Sequence, residues 1–357
     1  MIGASRPSIP AAAFDYDLPA HRIAQVPLRG RDESRLLLVA GDGTLADHRF
    51  TDLPALLQPG DVCVVNETRV RAARLRGRLE DGAAAELLVV ERLDPTSPEY
   101  ACLARPARRL VEGARLRCDG GLEAVVVGRG AGHPGERVLR FSAASEVVEA
   151  AIERAGEAPL PPYVRQALDE PERYQTVYAA GPARSAAAPT AGLHFSERVI
   201  QALRARGVGW TAVRLDVGIA TFAPMRVDDV SAHPMHAERF SVPDETARAV
   251  AGARARGGRV VAVGTTTVRA LESCADEAGT IRAREGATTL FIVPGYRFRA
   301  VDALLTNFHQ PRSSLLALLA AFIGMDRWRQ AYAHALAGGY RFLSLGDCML
   351  CWAPTAA

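Results

Sequence analysis

Two histidines of this chain stand where a side chain can reach a substrate. His194 follows a Pro-Thr-Ala-Gly stretch that is typical of a turn, and His309 ends the segment Thr306-Asn-Phe-His309 just before an apolar run. Histidine is the side chain best suited to proton transfer near neutral pH. Any single histidine is more often a hydrogen-bonded structural residue, so both are proton-transfer candidates only if further groups lie beside them.

A threonine-rich segment offers a site for an anion. Residues 259–263 predict a buried strand, which leads into Gly264-Thr-Thr-Thr267 and an apparent helix. The free N–H groups of a first helical turn, together with three hydroxyl groups, can hold a phosphate or a carboxylate, and Arg269 can add a bidentate contact. The same pattern also fits an ordinary threonine-rich helix cap.

Two further patterns are weak signals for a metal or redox site. His233 and His236, followed by Glu238, lack the helical spacing that makes a zinc motif convincing. Cys348 and Cys351 fall in an apolar stretch that predicts a strand, where a three-residue step puts the two thiols on opposite faces. We therefore expect neither a metal site nor a redox pair.

Clusters of arginine can contact a phosphate backbone. Each cluster taken alone also fits a solvated charged face, and no aromatic residues alternate with the arginines as they do on a base-stacking surface. The clusters are formed by Arg29, Arg31 and Arg35, by Arg105, Arg108 and Arg109, and by Arg165.

The composition of the 357 residues excludes some reaction classes. With 48% hydrophobic and 23% charged residues the chain can bury a sizeable core, and its net charge of +3 permits but does not require nucleic-acid contact. No lysine occurs, which excludes a Schiff-base lysine and a P-loop lysine. Six scattered cysteines, no signal-like N-terminus and no apolar run long enough for a membrane span predict a soluble cytoplasmic protein without disulfides.

The elements that must position these groups predict an α/β fold with two domains. Residues 1–12 read as a flexible tail, and residues 71–155 show short alternating runs separated by glycine turns, which predict a small antiparallel β-barrel. This barrel interrupts a large mixed α/β domain formed by residues 13–70 and 156–357. Residues 289–293 predict another strand, and Ser313 or Ser314 can cap a buried apolar helix that ends at Gly324.

Taken together, these segments resemble the S-adenosylmethionine:tRNA ribosyltransferase-isomerase family of queuosine biosynthesis. The matching motifs run in order through almost the whole chain. They are Phe14-Asp-Tyr-Asp-Leu-Pro19, Arg31-Asp-Glu-Ser-Arg35, Gly60-Asp61, Asn66-Glu-Thr-Arg-Val70, Pro159-Leu-Pro-Pro-Tyr163, Arg173-Tyr-Gln-Thr-Val-Tyr-Ala179, Ala188-Pro-Thr-Ala-Gly-Leu-His-Phe195, Met235-His-Ala-Glu238, Val263-Gly-Thr-Thr-Thr-Val-Arg269, Pro294-Gly-Tyr296, Thr306-Asn-Phe-His309, Tyr340-Arg-Phe342 and Gly346-Asp347.

The resemblance implies the α/β fold with an inserted barrel and a reaction without a cofactor. The ribosyl part of S-adenosylmethionine moves to the aminomethyl group of a 7-deazaguanine in tRNA and isomerises to an epoxycyclopentane, while adenine and methionine leave. We then expect S-adenosylmethionine and tRNA as substrates, and a monomeric protein. The resemblance implies catalytic roles for His194, His309, Asp216 and Glu238, and substrate contacts for Arg35, Asn66, Arg69, Thr190, Gly264, Thr265, Thr266, Arg269, Asn307, Arg341 and Asp347.

Four positions depart from the family pattern. Asp216 stands where the family usually has His, Ala220 where it has Gly, Arg184 where it has a small residue, and Leu345 where it has Tyr. Such changes allow two alternatives, because acceptor specificity depends on pocket contacts. One is a relative that uses a free deazapurine or another small amine as acceptor, and the other is a non-catalytic RNA-binding protein on the same scaffold.

Overall fold

The computed structural model describes residues 8–94, 96–130, 135–218 and 224–355. It divides the chain into two compact units. The large unit contains the residues up to Arg69 and those from Pro161 onward, and the small unit is Val70–Leu160. The strands are β1 (Arg35–Val39), β2 (Leu45–Arg49), β3 (Val62–Asn66), β4 (Arg69–Val70), β5 (Arg74–Leu79), β6 (Ala84–Arg92), β7 (Glu99–Arg105), β8 (Arg115–Cys118), β9 (Leu122–Arg129), β10 (Glu136–Phe141), β11 (Ala183–Ser185), β12 (Gly209–Leu215), β13 (Glu238–Val242), β14 (Val260–Val263), β15 (Arg284–Thr288), β16 (Ala303–Asn307) and β17 (Cys348–Trp352).

One mixed sheet organises the large unit, with the order β15-β13-β12-β3-β14-β16-β17-β1-β2 in the described part of the chain. The four adjacent strands β12, β3, β14 and β16 run parallel to one another, whereas β13 and β17 on either side of them pair antiparallel. Strands β3, β14 and β16 are buried at every residue, as expected for parallel strands covered on both faces. Their carboxyl ends lie at the same edge of the sheet, which is where open α/β sheets bind ligands.

Helices cover the sheet on both faces, so that two hydrophobic clusters form. The predicted apolar helix is confirmed: the Ser313 hydroxyl accepts from the N–H of Leu316, and Gly324 ends the helix with a φ of 97°. The helices are α1 (Leu53–Leu56), α2 (Ser145–Ala155), α3 (Glu197–Ala205), α4 (Asp244–Ala255), α5 (Thr265–Glu272), α6 (Ser314–Ile323) and α7 (Met325–Ala337), with 3-10 turns at Ala11–Phe14, Ala20–Arg22, Arg31–Glu33, Phe50–Asp52, Asp119–Gly121, Pro171–Tyr174, Thr190–His194 and Val230–Ala232.

The small unit is a closed antiparallel barrel, which confirms the predicted architecture. Its strand order is β10-β7-β6-β5-β8-β9. The rings of Tyr100 and Phe141 pack edge to face inside it, with centroids 5.5 Å apart. Strand β7 was not predicted, because Tyr100, Ala101 and Cys102 are buried in succession and do not alternate.

Two further elements differ from the prediction. Residues 289–293 form no strand; they are an irregular segment in which Phe291, Ile292 and Val293 are buried. The strand is the preceding β15, which pairs with β13 at the edge of the sheet. The apolar run was misread because burial alone does not distinguish a strand from a packed loop. At the N-terminus, Ala11 is buried and its N–H donates to the carbonyl of Asp228 over 2.8 Å. In the described residues no helix has both the length and the apolar character of a membrane span.

Candidate active site at the carboxyl edge of the sheet

Asn66 joins the ends of two parallel strands to the start of helix α5. Its side-chain N–H₂ donates to the carbonyl of Leu215 over 2.9 Å and to the Thr266 hydroxyl over 3.2 Å. Its oxygen accepts from the N–H groups of Leu215 and Thr68. All of these partners are protein groups, so Asn66 is placed to hold the site together rather than to bind substrate directly.

The turn from β14 into α5 requires glycine at position 264. Gly264 has a φ of 88° and a ψ of 151°, a region that other residues rarely adopt. Its N–H donates to the carbonyl of Leu305 over 2.8 Å, which fixes the turn against β16. The N–H groups of Thr265 and Thr266 then have no carbonyl within the helix to bind, and they leave the positive end of α5 available to an anion.

A small cavity of about 40 Å³ lies at this helix end. Six of the residues predicted to form the site line it together, although they come from three separate parts of the chain. They are Thr190, Gly264, Thr265, Thr266, Asn307 and His309.

His309 lines this cavity with one ring nitrogen held in place. Its Nε2 lies 2.9 Å from the Thr306 hydroxyl, and its backbone is fixed by the hydroxyl groups of Tyr332 and Tyr16. Its Nδ1 has no hydrogen-bond partner among the residues that the structure describes. Burial lowers the pKa of His309 to about 3, so the ring is neutral at neutral pH.

His194 has partners at both ring nitrogens. The side-chain N–H₂ of Asn307 lies 3.0 Å from Nε2, and the Ser34 hydroxyl lies 2.8 Å from Nδ1. Because Nε2 accepts from an amide, Nδ1 carries the proton and donates to Ser34. The ring stacks on Phe50, and burial, with Arg341 nearby, lowers its pKa to about 4. His194 thus links the Asn307 amide to Ser34.

Asn307 also accepts from the Thr190 hydroxyl over 2.9 Å. It therefore connects His194 to the cavity that His309 lines. On the other side of His194 lies a second cavity of about 30 Å³, which is lined by Arg31, Arg173 and Leu345 as well as His194. The two histidines thus face different cavities, and Asn307 lies between them.

Glu238 and Arg269 form a buried ion pair with each other. The Arg269 guanidinium also donates to the carbonyl of Leu290 over 2.9 Å, and Glu238 accepts from the N–H of Gly218 over 2.7 Å. Arg269 is therefore engaged with protein groups and does not line the cavity beside Gly264. Asp216 lies at the end of β12 and accepts from the Thr68 hydroxyl over 2.7 Å.

The other predicted substrate contacts are spread around this edge. Asp347 is buried and accepts from the backbone N–H groups of Arg35 and Arg341, and burial raises its pKa above the usual value. The Arg35 guanidinium lies 3.8 Å above the ring of Tyr340. Arg69 is exposed. These residues stabilise the loops around the site, with the exception of Arg69, which faces solvent.

The departures from the family pattern fall in different surroundings. Arg184 is exposed on β11, whereas Leu345 is buried and lines the cavity beside His194. Ala220 lies outside the described residues. Among those residues no group of three or more histidine, cysteine, aspartate or glutamate side chains could hold a metal ion.

Sequence reasoning missed Ser34, Thr306 and Tyr332 as parts of the site. Ser34 is inside the quoted motif that starts at Arg31, and Thr306 is inside the one that ends at His309. Their presence in these motifs was the available signal, but only the folded chain brings Ser34 to His194, 160 positions away.

The fold and the site define an α/β protein with an inserted barrel and a neutral, buried histidine beside a helix N-terminus. The chain belongs to the queuosine biosynthesis protein family, whose model matches residues 11–351. It is 50% identical to the S-adenosylmethionine:tRNA ribosyltransferase-isomerase of Azoarcus sp. (strain BH72) and 49% identical to that of Moorella thermoacetica. Both alignments cover 94% of this chain, and they cover 96% and 98% of the two relatives.

A solved structure agrees with this assignment. The crystal structure of S-adenosylmethionine tRNA ribosyltransferase from Thermotoga maritima superposes with a TM-score of 0.54 at 36% identity. The match covers 95% of this chain and 99% of that one. The similarity therefore extends over both units of the fold.

Proposed function

We propose that this protein transfers the ribosyl group of S-adenosylmethionine to the aminomethyl group of 7-aminomethyl-7-deazaguanine in tRNA. The product is epoxyqueuosine, and adenine and methionine are released. The observation that carries the proposal is the cavity that His309 lines at the N-terminus of α5, in a chain about 50% identical to enzymes of this name. S-adenosylmethionine acts as a substrate, and the reaction uses no further cofactor.

The cavity supplies two of the functions that this chemistry requires. The N–H groups of Thr265 and Thr266 suit the methionine carboxylate, because an anion is stabilised at a helix N-terminus. His309 is the base that removes the proton from the ribose 5′ carbon, which the neighbouring sulfonium makes acidic. The geometry supports this role: with Nε2–H donating to the Thr306 hydroxyl, the unpaired Nδ1 carries the lone pair that accepts the proton.

His194 and Asn66 act as positioning residues. His194 has both nitrogens engaged, so it holds Asn307 and Ser34 rather than moving a proton itself. Asn66 holds the start of α5 against β12. Glu238 maintains Arg269 in its buried position, and Asp216 is the remaining acidic candidate for a second proton transfer. Arg69, exposed beside these groups, is a candidate contact for the tRNA.

Neither alternative function is favoured. A small-molecule acceptor was suggested by four altered positions, yet relatives at 48–50% identity over about 94% of the chain carry the name of the tRNA-modifying enzyme. The non-catalytic alternative is opposed by the intact cavity around His309.

Adenine release tests the proposal. The protein is incubated with S-adenosylmethionine and either tRNA that carries the aminomethyl-deazaguanine or the same tRNA with guanine at that position. We expect adenine only with the former. The His309→Gln variant should lower kcat about 10²- to 10⁴-fold, as expected for loss of a general base.

A matched control is His334→Gln, which removes a surface histidine paired with Asp47. It should leave kcat unchanged. Absence of adenine with the wild-type protein contradicts the proposed function, whereas an unchanged kcat for His309→Gln removes only that residue from the role of base.

A further inference from the structure

Three arginines of the large unit have a cationic group without an acidic partner. No carboxylate oxygen lies within 4.0 Å of the guanidinium groups of Arg31, Arg173 or Arg341 in the described part of the chain. Arg31 and Arg173 line the cavity beside His194, and Arg341 is close enough to His194 to contribute to the lowering of its pKa. Two positive charges thus line this small cavity, and the third lies near His194 at its wall.

Two of these arginines also have an N–H group without an acceptor. The Nε of Arg173 and one terminal nitrogen of Arg341 are covered by protein and make no hydrogen bond to any residue that the structure describes. Leaving a charged donor unpaired is costly, and unpaired donors in a native structure are often completed by a ligand or an ion. An anion in the cavity would provide the missing acceptors and balance the charge.

We infer that Arg31, Arg173 and Arg341 form a binding site for a backbone phosphate of the RNA acceptor. This inference rests on the proposed function, because it names where that acceptor is held. Arginine suits phosphate, to which its planar group donates two parallel hydrogen bonds. The adjacent Arg29 is exposed and extends the positive charge outward along the same loop.

A phosphate fits this cavity better than the methionine carboxylate of S-adenosylmethionine. The cavity measures about 30 Å³, so a single group can enter from outside but a nucleoside cannot. The proposed site for the carboxylate is at the N-terminus of α5, on the other side of Asn307.

A purely structural role must be separated from this one. Arg31 donates to the carbonyls of Glu172 and Leu193, and Arg173 donates to those of Arg29 and Leu28, so both arginines tie two loops together. Among the described residues the Arg341 side chain makes one such bond, to the carbonyl of Val26. Arg341→Gln is therefore the variant that disturbs the loops least, and Arg31→Gln/Arg341→Gln is the stronger test.

The salt dependence of tRNA affinity distinguishes the two roles. Kd for tRNA carrying the aminomethyl-deazaguanine is measured at salt concentrations from about 50 to about 200 mM. The ratio of Kd at the highest salt to Kd at the lowest salt should become about threefold smaller for each phosphate contact that is lost. We expect this reduction for Arg341→Gln and a larger one for the double variant. The control Arg248→Gln removes an equally charged but exposed side chain, and its slope should equal that of the wild type.

Two results overturn the inference. One is an unchanged salt slope in both variants, which means that the arginines only hold the loops. In the other, the Kd for S-adenosylmethionine, measured by calorimetry, rises in the variants while the salt slope of tRNA binding is unchanged. This result assigns the site to the methionine carboxylate. Neither result depends on turnover, so failure of the proposed function is seen separately, as tRNA binding by the wild type without adenine release.

Discussion

Replacing Glu238 by glutamine should destabilise the protein far more than an ordinary surface change. The side chains of Glu238 and Arg269 are only 6% and 7% exposed, and they form an ion pair. Removal of one partner of such a pair leaves a buried charge unpaired, which costs about 3–5 kcal/mol. Glutamine keeps nearly the same volume, and its oxygen can still accept from the N–H of Gly218, so the charge is the main change.

The free energy of unfolding is measured by urea titration. The matched control is Asp244→Asn, which breaks an ion pair with Arg248. In this pair the side chain of Arg248 is 74% exposed and that of Asp244 is 72% exposed. This control should cost about 0.3–0.5 kcal/mol. The double variant Glu238→Gln/Arg269→Gln should cost less than the sum of the two single changes, since neither charge remains unpaired. A cost for Glu238→Gln no greater than that of Asp244→Asn would refute the reasoning.

Two further predictions concern the site itself. Gly264→Ala should lower the free energy of unfolding by about 1–3 kcal/mol because of the positive φ alone, since the new methyl meets Ala191 at an ordinary 3.7 Å. The control Gly252→Ala, inside α4, should instead raise the free energy of unfolding. Equal effects of the two changes would contradict this reasoning. The pKa values of His194 and His309 are about 4 and about 3 in the folded state and about 6.5 in the unfolded state. The stability that comes from keeping these two histidines neutral is therefore fully present above about pH 6.5. It should fall as the pH decreases, by roughly 3 kcal/mol for each histidine by about pH 4, and a flat profile in urea titrations would oppose the neutral, buried assignment.

Sequence patterns correctly predicted the elements whose caps, turns and apolar spacing lie within the element itself. Helix α6 follows from a serine cap, an apolar run and a terminal glycine, and the barrel follows from alternating runs with glycine turns. Strand β7 and the irregular segment at 289–293 depend instead on which tertiary contacts bury them. Their sequences contain no period that a single chain segment could show.

The site shows the same limit. His194, His309 and Gly264 were found because each stands at the end of an element. The ion pair of Glu238 with Arg269 joins positions 31 residues apart, so nothing in the local sequence showed that Arg269 is occupied. The roles of the site residues, the domain limits, the monomeric state and the cytoplasmic location stay predictions.

The central claim is tested most directly by the chemical identity of the modified nucleoside. tRNA that carries 7-aminomethyl-7-deazaguanine is treated with the protein and S-adenosylmethionine, digested to nucleosides and analysed by mass spectrometry. We expect the deazaguanine nucleoside to be converted to epoxyqueuosine, with one adenine released per modified tRNA. An unchanged nucleoside, or conversion of the free deazaguanine base but not of the tRNA, would contradict it.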